Sequence, residues 1–235
     1  MIGMPTARVR RGLVIGGLVL GAMFALGARC IENESVYVDS DGYTHIVGNM
    51  ANETDVSAST VTLSATLFDA NGNVLSTTTG LLCPMSVQPH SQTAFELRFP
   101  EPNLPAYSRY EVRPISGTTI DAALPASLLA FEDLAAYRVR NTLAVAGAIR
   151  NDNNVAFTEV MYCAAAYDDA GRMIKMQWSP LPGTPLSPGQ SLRLPIVWPD
   201  LPAAATEIVV WVAVGPTAQW VMSDRVRIQN SDPPR

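Results

Sequence analysis

Histidine, cysteine, lysine and charge are all scarce in this chain of 235 residues. Two histidines and three cysteines supply little material for a zinc site of the usual four Cys/His ligands, and they exclude a dense disulfide framework. No metal and no cofactor are therefore expected. Charged residues make up 16% of the sequence and hydrophobic ones 48%, whereas ordinary globular chains carry roughly 25% charged residues. That balance excludes a disordered polyelectrolyte. Lys175 is the only lysine among 16 basic residues. No G-x-G-x-x-G or Walker-type loop occurs, so a nucleotide has no visible cradle.

What charge there is lies unevenly. Arg8, Arg10, Arg11 and Arg29 flank one apolar run, leaving 12 basic against 21 acidic residues from Ile31 onward, a net −9. A negative body without a basic cluster repels phosphate backbones, which argues against nucleic-acid binding.

The apolar run, residues 12–28, is 17 residues long, contains no charge and follows Arg8-Val9-Arg10-Arg11. A secretory apolar segment spans about 7–15 residues and a membrane-crossing helix about 17–25. Both readings stay open: a removable signal ending at the small-x-small pattern Ala25-Leu26-Gly27, or an uncleaved anchor oriented by its basic flank. Either exports residues 31–235. Cys30 stands where a lipidated cysteine would, but Arg29 before it departs from the small residue such signals carry. An oxidising compartment allows Cys83 and Cys163 to bridge, although their places in the repeat described next are not equivalent.

Shifting the chain by 99 residues aligns Thr44–Pro100 with Leu143–Pro199 without a gap, and ten of 57 positions are identical. They include Gly48/Gly147, Asn52/Asn151, Asp69/Asp168, Gly72/Gly171 and Pro89/Pro188, turn and strand-end residues whose backbone geometry restricts the choice of side chain. Within each copy the period is 2, as in Val61-Thr62-Leu63-Ser64-Ala65-Thr66-Leu67, which predicts half-buried strands. Asp69-Ala70-Asn71-Gly72-Asn73 and Asp168-Asp169-Ala170-Gly171-Arg172 predict hairpin turns. Each copy is expected to close with a strand near Tyr110–Ile115 or Ile208–Val214.

The expected fold class is all-β: two tandem immunoglobulin-like β-sandwiches behind an N-terminal hydrophobic membrane-targeting helix. The boundaries read as 1–30 for the leader, 31–119 for the first sandwich, and 120–235 for a linker and the second. One further helix is expected at Ala126–Ala136, where Ser127 could cap Leu128-Leu129-Ala130-Phe131-Glu132.

The stretch Thr66-Leu67-Phe68-Asp69-Ala70-Asn71-Gly72 and its counterpart Ala166-Tyr167-Asp168-Asp169-Ala170-Gly171 resemble the FxLYD-motif family, small immunoglobulin-like domains of exported bacterial and archaeal proteins. The likeness extends upstream to Ile46–Asn52 and downstream to Leu186-Ser187-Pro188-Gly189. The motif's leading Phe is Ala65 and Ala164 here; its Leu is kept as Leu67 and its Tyr as Tyr167. The resemblance implies export and a sandwich fold, and it carries no catalytic residue with it.

Catalysis finds few candidates. His45 and His90 both lie in the first copy, opposite Ala144 and Gly189 of the second, so a Ser-His-Asp or Cys-His device would have arisen on one copy alone. The doublets Asp168-Asp169 and Glu132-Asp133 read as turn or strand-end residues, since neighbours on a strand point to opposite faces. Asp39-Ser40-Asp41-Gly42 lacks the third oxygen position and distal Glu of an EF-hand and reads as a turn. The chain is expected not to be an enzyme.

The two copies differ in one suggestive way. All four tryptophans, Trp178, Trp198, Trp211 and Trp220, lie in the second, where Trp198 replaces the core residue Phe99. Met161-x-Cys163-x-Ala165 replaces Thr62-x-Ser64-x-Thr66, and Trp178 replaces Thr79, turning a polar outer face apolar. An apolar face needs a neighbour, either the other copy or a partner protein. Met161, Cys163, Trp178 and Trp220 are the candidate interaction surface. The expected function is a non-catalytic, exported or membrane-anchored scaffold presenting protein-interaction surfaces outside the cytoplasm, attached through residues 12–28 if uncleaved. The alternative is a carbohydrate- or small-ligand-binding module using exposed tryptophans of the second copy.

Overall fold

The computed structural model describes residues 31–120, 128–215 and 219–230. The leader helix, its Ala25–Gly27 pattern and Cys30 lie outside these residues, as does most of the stretch between the copies. Among the described residues every regular element is a β-strand, and no helix is long and apolar enough to cross a membrane.

The first unit comprises β1 (Ile31–Val38), β2 (Tyr43–Asn52), β3 (Ser57–Phe68), β4 (Val74–Cys83), β5 (Ser86–Val87), β6 (Ser91–Pro102) and β7 (Arg109–Ile120). The second comprises β8 (Leu129–Val139), β9 (Thr142–Asn151), β10 (Val160–Tyr167), β11 (Met173–Pro180), β12 (Ser191–Arg193), β13 (Ile196–Trp198), β14 (Glu207–Val214), β15 (Gln219–Met222) and β16 (Val226–Gln229). In the first unit β1–β2–β6 pair on one side and β7–β3–β4 on the other, and Leu82 and Cys83 at the end of β4 reach Phe95 and Ala94 of β6. In the second, β8 and β9 with β12 and β13 form one side and β11–β10–β14 the other; β16 joins them by pairing with β14 and, in parallel, with β8.

The 99-residue repeat is reproduced bond for bond. Asn52 donates through Nδ2 to the carbonyls of Val56 at 2.8 Å and Val87 at 3.4 Å, while Asn151 donates to the equivalent Val155 at 2.8 Å and Leu186 at 3.0 Å. Both asparagines are buried, and each ties the end of one strand to a proline-led turn. Asp69 Oδ1 accepts the amides of Asn71 and Asn73, and Asp168 Oδ1 those of Ala170 and Arg172, all at 2.8–3.0 Å. Gly72 and Gly171 close these turns at φ of +83° and +77°, where a side chain would be strained. Asp39 forms a comparable turn, accepting the amides of Asp41 and Tyr43 at 2.9 Å.

Two departures, one from the expected helix and one from the repeat, have clear causes. The helix expected at Ala126–Ala136 is instead strand β8 from Leu129 onward, paired antiparallel with β9. Leu, Ala and Glu favour helix locally, but the open edge of β9 offers a full ladder, and tertiary pairing outweighs a few tenths of a kcal/mol per residue of propensity. A register shift between Glu132 and Ala135, with Asp133 at φ +50°, breaks the alternation that would have announced a strand. The segment equivalent to β6 is split into β12 and β13, because Pro195 has no amide to donate to the ladder.

Apolar side chains collect in three places. One core holds Ile46, Leu63, Leu67, Phe95, Leu97 and Phe99 between the sides of the first unit. Another holds Leu143, Ile149, Tyr162, Trp198, Val210 and Val212 in the second. A third lies between the units and sets the candidate site.

Candidate functional site

Strand β10 is apolar on both faces. Val160, Tyr162, Ala164 and Ala166 point into the core of the second unit, whereas Cys163, Ala165 and Tyr167 point outward with Met173, Met176, Val209, Trp211 and Trp220 from the neighbouring strands. Val47 of β2 and Ala94 of β6 pack onto this outer face. The equivalent face of the first unit is lined by Thr62, Ser64 and Thr66, and Thr66 lies between Glu111 of β7 and Thr77 of β4, Oγ1 to Oγ1 at 3.3 Å from the latter. The replacement of Thr and Ser by Cys, Ala and Met thus coincides with burial of the face against the first unit.

Specific bonds fix the contact. Cys83, at the end of β4, and Cys163, in the middle of β10, form a disulfide with their Cα atoms 6.1 Å apart, within the range such a bridge requires. Tyr167 donates through its hydroxyl to Asn49 Oδ1 at 3.0 Å, and burial pushes its phenol up to about 12 despite this bond and the nearby Arg225 charge. Ser35 donates to the Met173 carbonyl. The indole N–H groups of Trp211 and Trp220 are buried in the same layer without an acceptor among the described residues.

Where the first unit ends, the apolar face continues into an open groove of about 350 Å³. The Cys83–Cys163 bridge lies in its wall, Leu81 and Met85 border it from the first unit, and Met161, Met176 and Trp178 from the second. Strand register explains the grouping, since Trp178 pairs with Cys163, and Met161 with Ala213, so their side chains share one face. Trp178 is 55% exposed, Met85 54% and Leu81 48%.

Of the four residues singled out from the sequence, the structure brings Met161, Cys163 and Trp178 to this groove. Trp220 is corrected: it is 6% exposed and belongs to the covered layer, because β15 pairs with β14 and turns the ring toward the first unit. Cys163 is likewise buried and bridged rather than presented to a partner. Trp198 and Trp211 are buried, so among the described residues Trp178 is the one exposed tryptophan.

One charged residue lines the groove, Glu96 of β6, and it belongs to a cluster that sequence reasoning missed. Glu96 Oε1 accepts from the Tyr37 hydroxyl at 2.5 Å and lies 3.1 Å from His45 Nδ1. His45 Nε2 lies 3.0 Å from Asp39 Oδ2, and the Tyr37 ring stacks on the imidazole at 4.6 Å. Burial pulls the imidazole pKa down, but hydrogen bonds to Glu96 and Asp39 and the charges of both carboxylates outweigh it, so His45 is held above its ordinary value. Burial, followed by the Glu96 charge and hydrogen bond, pushes the Tyr37 phenol well up. Asp39 pays a burial cost, yet amide bonds from Tyr43 and Asp41 and the His45 contact leave it below the usual carboxylate range. A signal existed: the positions 99 residues on are Ala136, Arg138, Ala144 and Pro195, so the whole cluster is missing from the second copy.

The remaining candidates have structural roles. His90 pairs with Asp55 on the surface at 2.9 Å. Glu132 pairs with Arg150 at 2.9 Å and accepts from Ser191. Asp168 is buried and holds its turn, with Arg172 at 2.8 Å. Among the described residues no group of three or more His, Cys, Asp or Glu side chains is arranged to hold a metal ion.

Comparison with known proteins adds little. No family model matches the chain, and no curated protein matches it significantly. Among solved structures, red sea bream transglutaminase is similar at a TM-score of 0.29 and 11% identity, over 93% of this chain and 34% of that one. A calcium-binding mutant of Bacteroides uniformis β-glucuronidase 2 is similar at 0.29 and 10%, over 83% and 28%. Parabacteroides merdae β-glucuronidase is similar at 0.28 and 8%, over 82% and 28%. The chain spans about a third or less of the length of each of these enzymes, and at such scores the likeness assigns it neither their fold nor their activity.

Proposed function

We propose that the chain is a non-catalytic, exported or membrane-attached protein whose two immunoglobulin-like β-sandwiches, of the FxLYD-motif kind, present a protein-interaction surface outside the cytoplasm. The observation that carries the reading is the apolar groove beside the disulfide, where Trp178, Met85 and Leu81 face solvent side by side. Such a patch marks an interaction site more often than an isolated exposed side chain does. Export is supported by the basic, apolar leader and by a disulfide, which persists in oxidising compartments.

The alternative of a glycan- or small-ligand-binding module is weaker, because a stacking platform would rest on a single ring, Trp178. Replacing Met161→Thr and Trp178→Thr together tests the reading. Native-size chromatography of the full-length protein is expected to show an intact fold with reduced association. An unchanged profile would reject it.

A further inference from the structure

We infer that the groove receives a large apolar side chain of a partner polypeptide together with a neighbouring lysine or arginine, the cation lying against Glu96. This rests on the interaction reading above and specifies its partner.

Three observations point the same way. First, the groove continues an interface already made. The outer face of β10, β11 and β14 is covered by Val47 and Ala94 up to the disulfide; beyond it Met161 is half-buried and Trp178 exposed. A partner there extends a dry contact and touches both units, since Leu81 and Met85 supply the opposite wall.

Second, the lining suits variable apolar shapes. Met85, Met161 and Met176 contribute flexible, polarizable thioethers, and Trp178 a broad ring to which an apolar group or a cation is attracted. At about 350 Å³ the space lies near the lower end of ligand-sized cavities, roughly 300–1,000 Å³, which suits one or two side chains.

Third, the charge is complementary to a cation. Among the described residues Glu96 is the only charged one lining the groove. Tyr37 and His45 both engage Oε1 and hold the carboxylate in place, and the Glu96 side chain keeps 19% of its surface exposed. The body carries a net −9, a field that draws basic partners and repels anionic ones.

The test is selection of a random peptide library against the immobilised, oxidised full-length protein in lipid nanodiscs. Recovered peptides are then titrated against the Trp178→Thr, Leu81→Ser and Glu96→Gln variants, each first checked to unfold cooperatively and to be fully folded at the assay temperature, since Glu96→Gln also loosens Tyr37 and His45. The expected peptides place a Lys or Arg within two positions of a large apolar residue. They bind Trp178→Thr and Leu81→Ser about thirtyfold more weakly, the scale of a hot-spot residue. Glu96→Gln weakens them too, and removes the difference between a peptide and its counterpart with the cation neutralised. Recovery of no peptide, or of peptides without a cation, overturns the proposal. Peptides indifferent to all three variants overturn the groove while leaving the broader interaction reading standing. That reading fails separately, through the unchanged chromatographic profile described above.

Discussion

Strands β3 and β10 occupy equivalent places 99 residues apart, carry comparable inward-facing residues and pair with equivalent neighbours, yet their outer faces have opposite fates. Thr62, Ser64 and Thr66 keep the first face polar, whereas Met161, Cys163 and Ala165 make the second apolar, and the first unit lies across it. A duplicated frame can therefore acquire an interface by changing the outer face of adjoining strands, Thr66, Thr77 and Glu111 on the first unit against Ala165, Met176 and Val209 on the second, while its turns stay constant. The cost of each substitution should follow the face on which it falls.

The largest expected effect comes from placing a charge in the covered layer. Ala165→Asp would bury a carboxylate against Val47 and Ala94 and is expected to destabilise the protein by about 3–5 kcal/mol, the scale for an unpaired buried charge. Thr66→Asp, at the equivalent position of the first unit and opposite Glu111, is expected to cost about 1 kcal/mol or less. Urea unfolding of the two variants measures the difference, and equal losses would show that the faces are not distinct.

Next comes the bridge between the units. Cys83 and Cys163 are separated by 80 residues, and replacing both by Ser is expected to cost about 2–4 kcal/mol, by releasing a long loop in the unfolded chain. Calorimetry of the oxidised protein is expected to give one transition, and of the double variant two, as each core melts on its own. A single transition in both would mean that apolar contact alone couples the units.

Tyr167→Phe removes the hydroxyl that donates to Asn49 and is expected to cost about 0.5–1.5 kcal/mol by chemical denaturation. Its counterpart Phe68 already lacks the hydroxyl, and Arg109 packs over its ring.

The smallest effect is one of pH. His45 faces Tyr37, Asp39 and Glu96, and its pKa is raised by folding, so protonation stabilises the native state. That contribution is fully present below the unfolded value of about 6.5 and fades as pH rises through the higher folded value. The urea-midpoint advantage of the wild type over His45→Gln is expected to shrink as pH increases across that window. The second unit has Ala144 there and contributes no such dependence.

Much of the frame was legible in the residues. Period-2 alternation announced β3, the fixed offset carried that strand over to β10 and announced Asn52 and Asn151 as equivalent anchors, and Asp69/Gly72 and Asp168/Gly171 announced their turns, because local backbone geometry dictates them. Strand β8 was not, since its bulge hides the alternation and its residues favour helix. Of the site, Met161, Cys163 and Trp178 stood out as departures from the first copy. The bridge from Cys83, the burial of Trp220 and the gathering of Tyr37, Asp39, His45 and Glu96 depend on how one unit lies on the other and on which strands adjoin, information no single segment carries.

The central claim, that the altered face of the second copy ends in a docking groove with no equivalent on the first, is tested most directly by photocrosslinking in native membranes. A photoreactive aromatic residue, which keeps an apolar ring at the position, replaces Trp178 in one protein and its counterpart Thr79 in another. A discrete adduct from position 178, lost with Glu96→Gln and missing from position 79, is the predicted result. Matching patterns from the two positions, or no adduct from 178, would contradict the account.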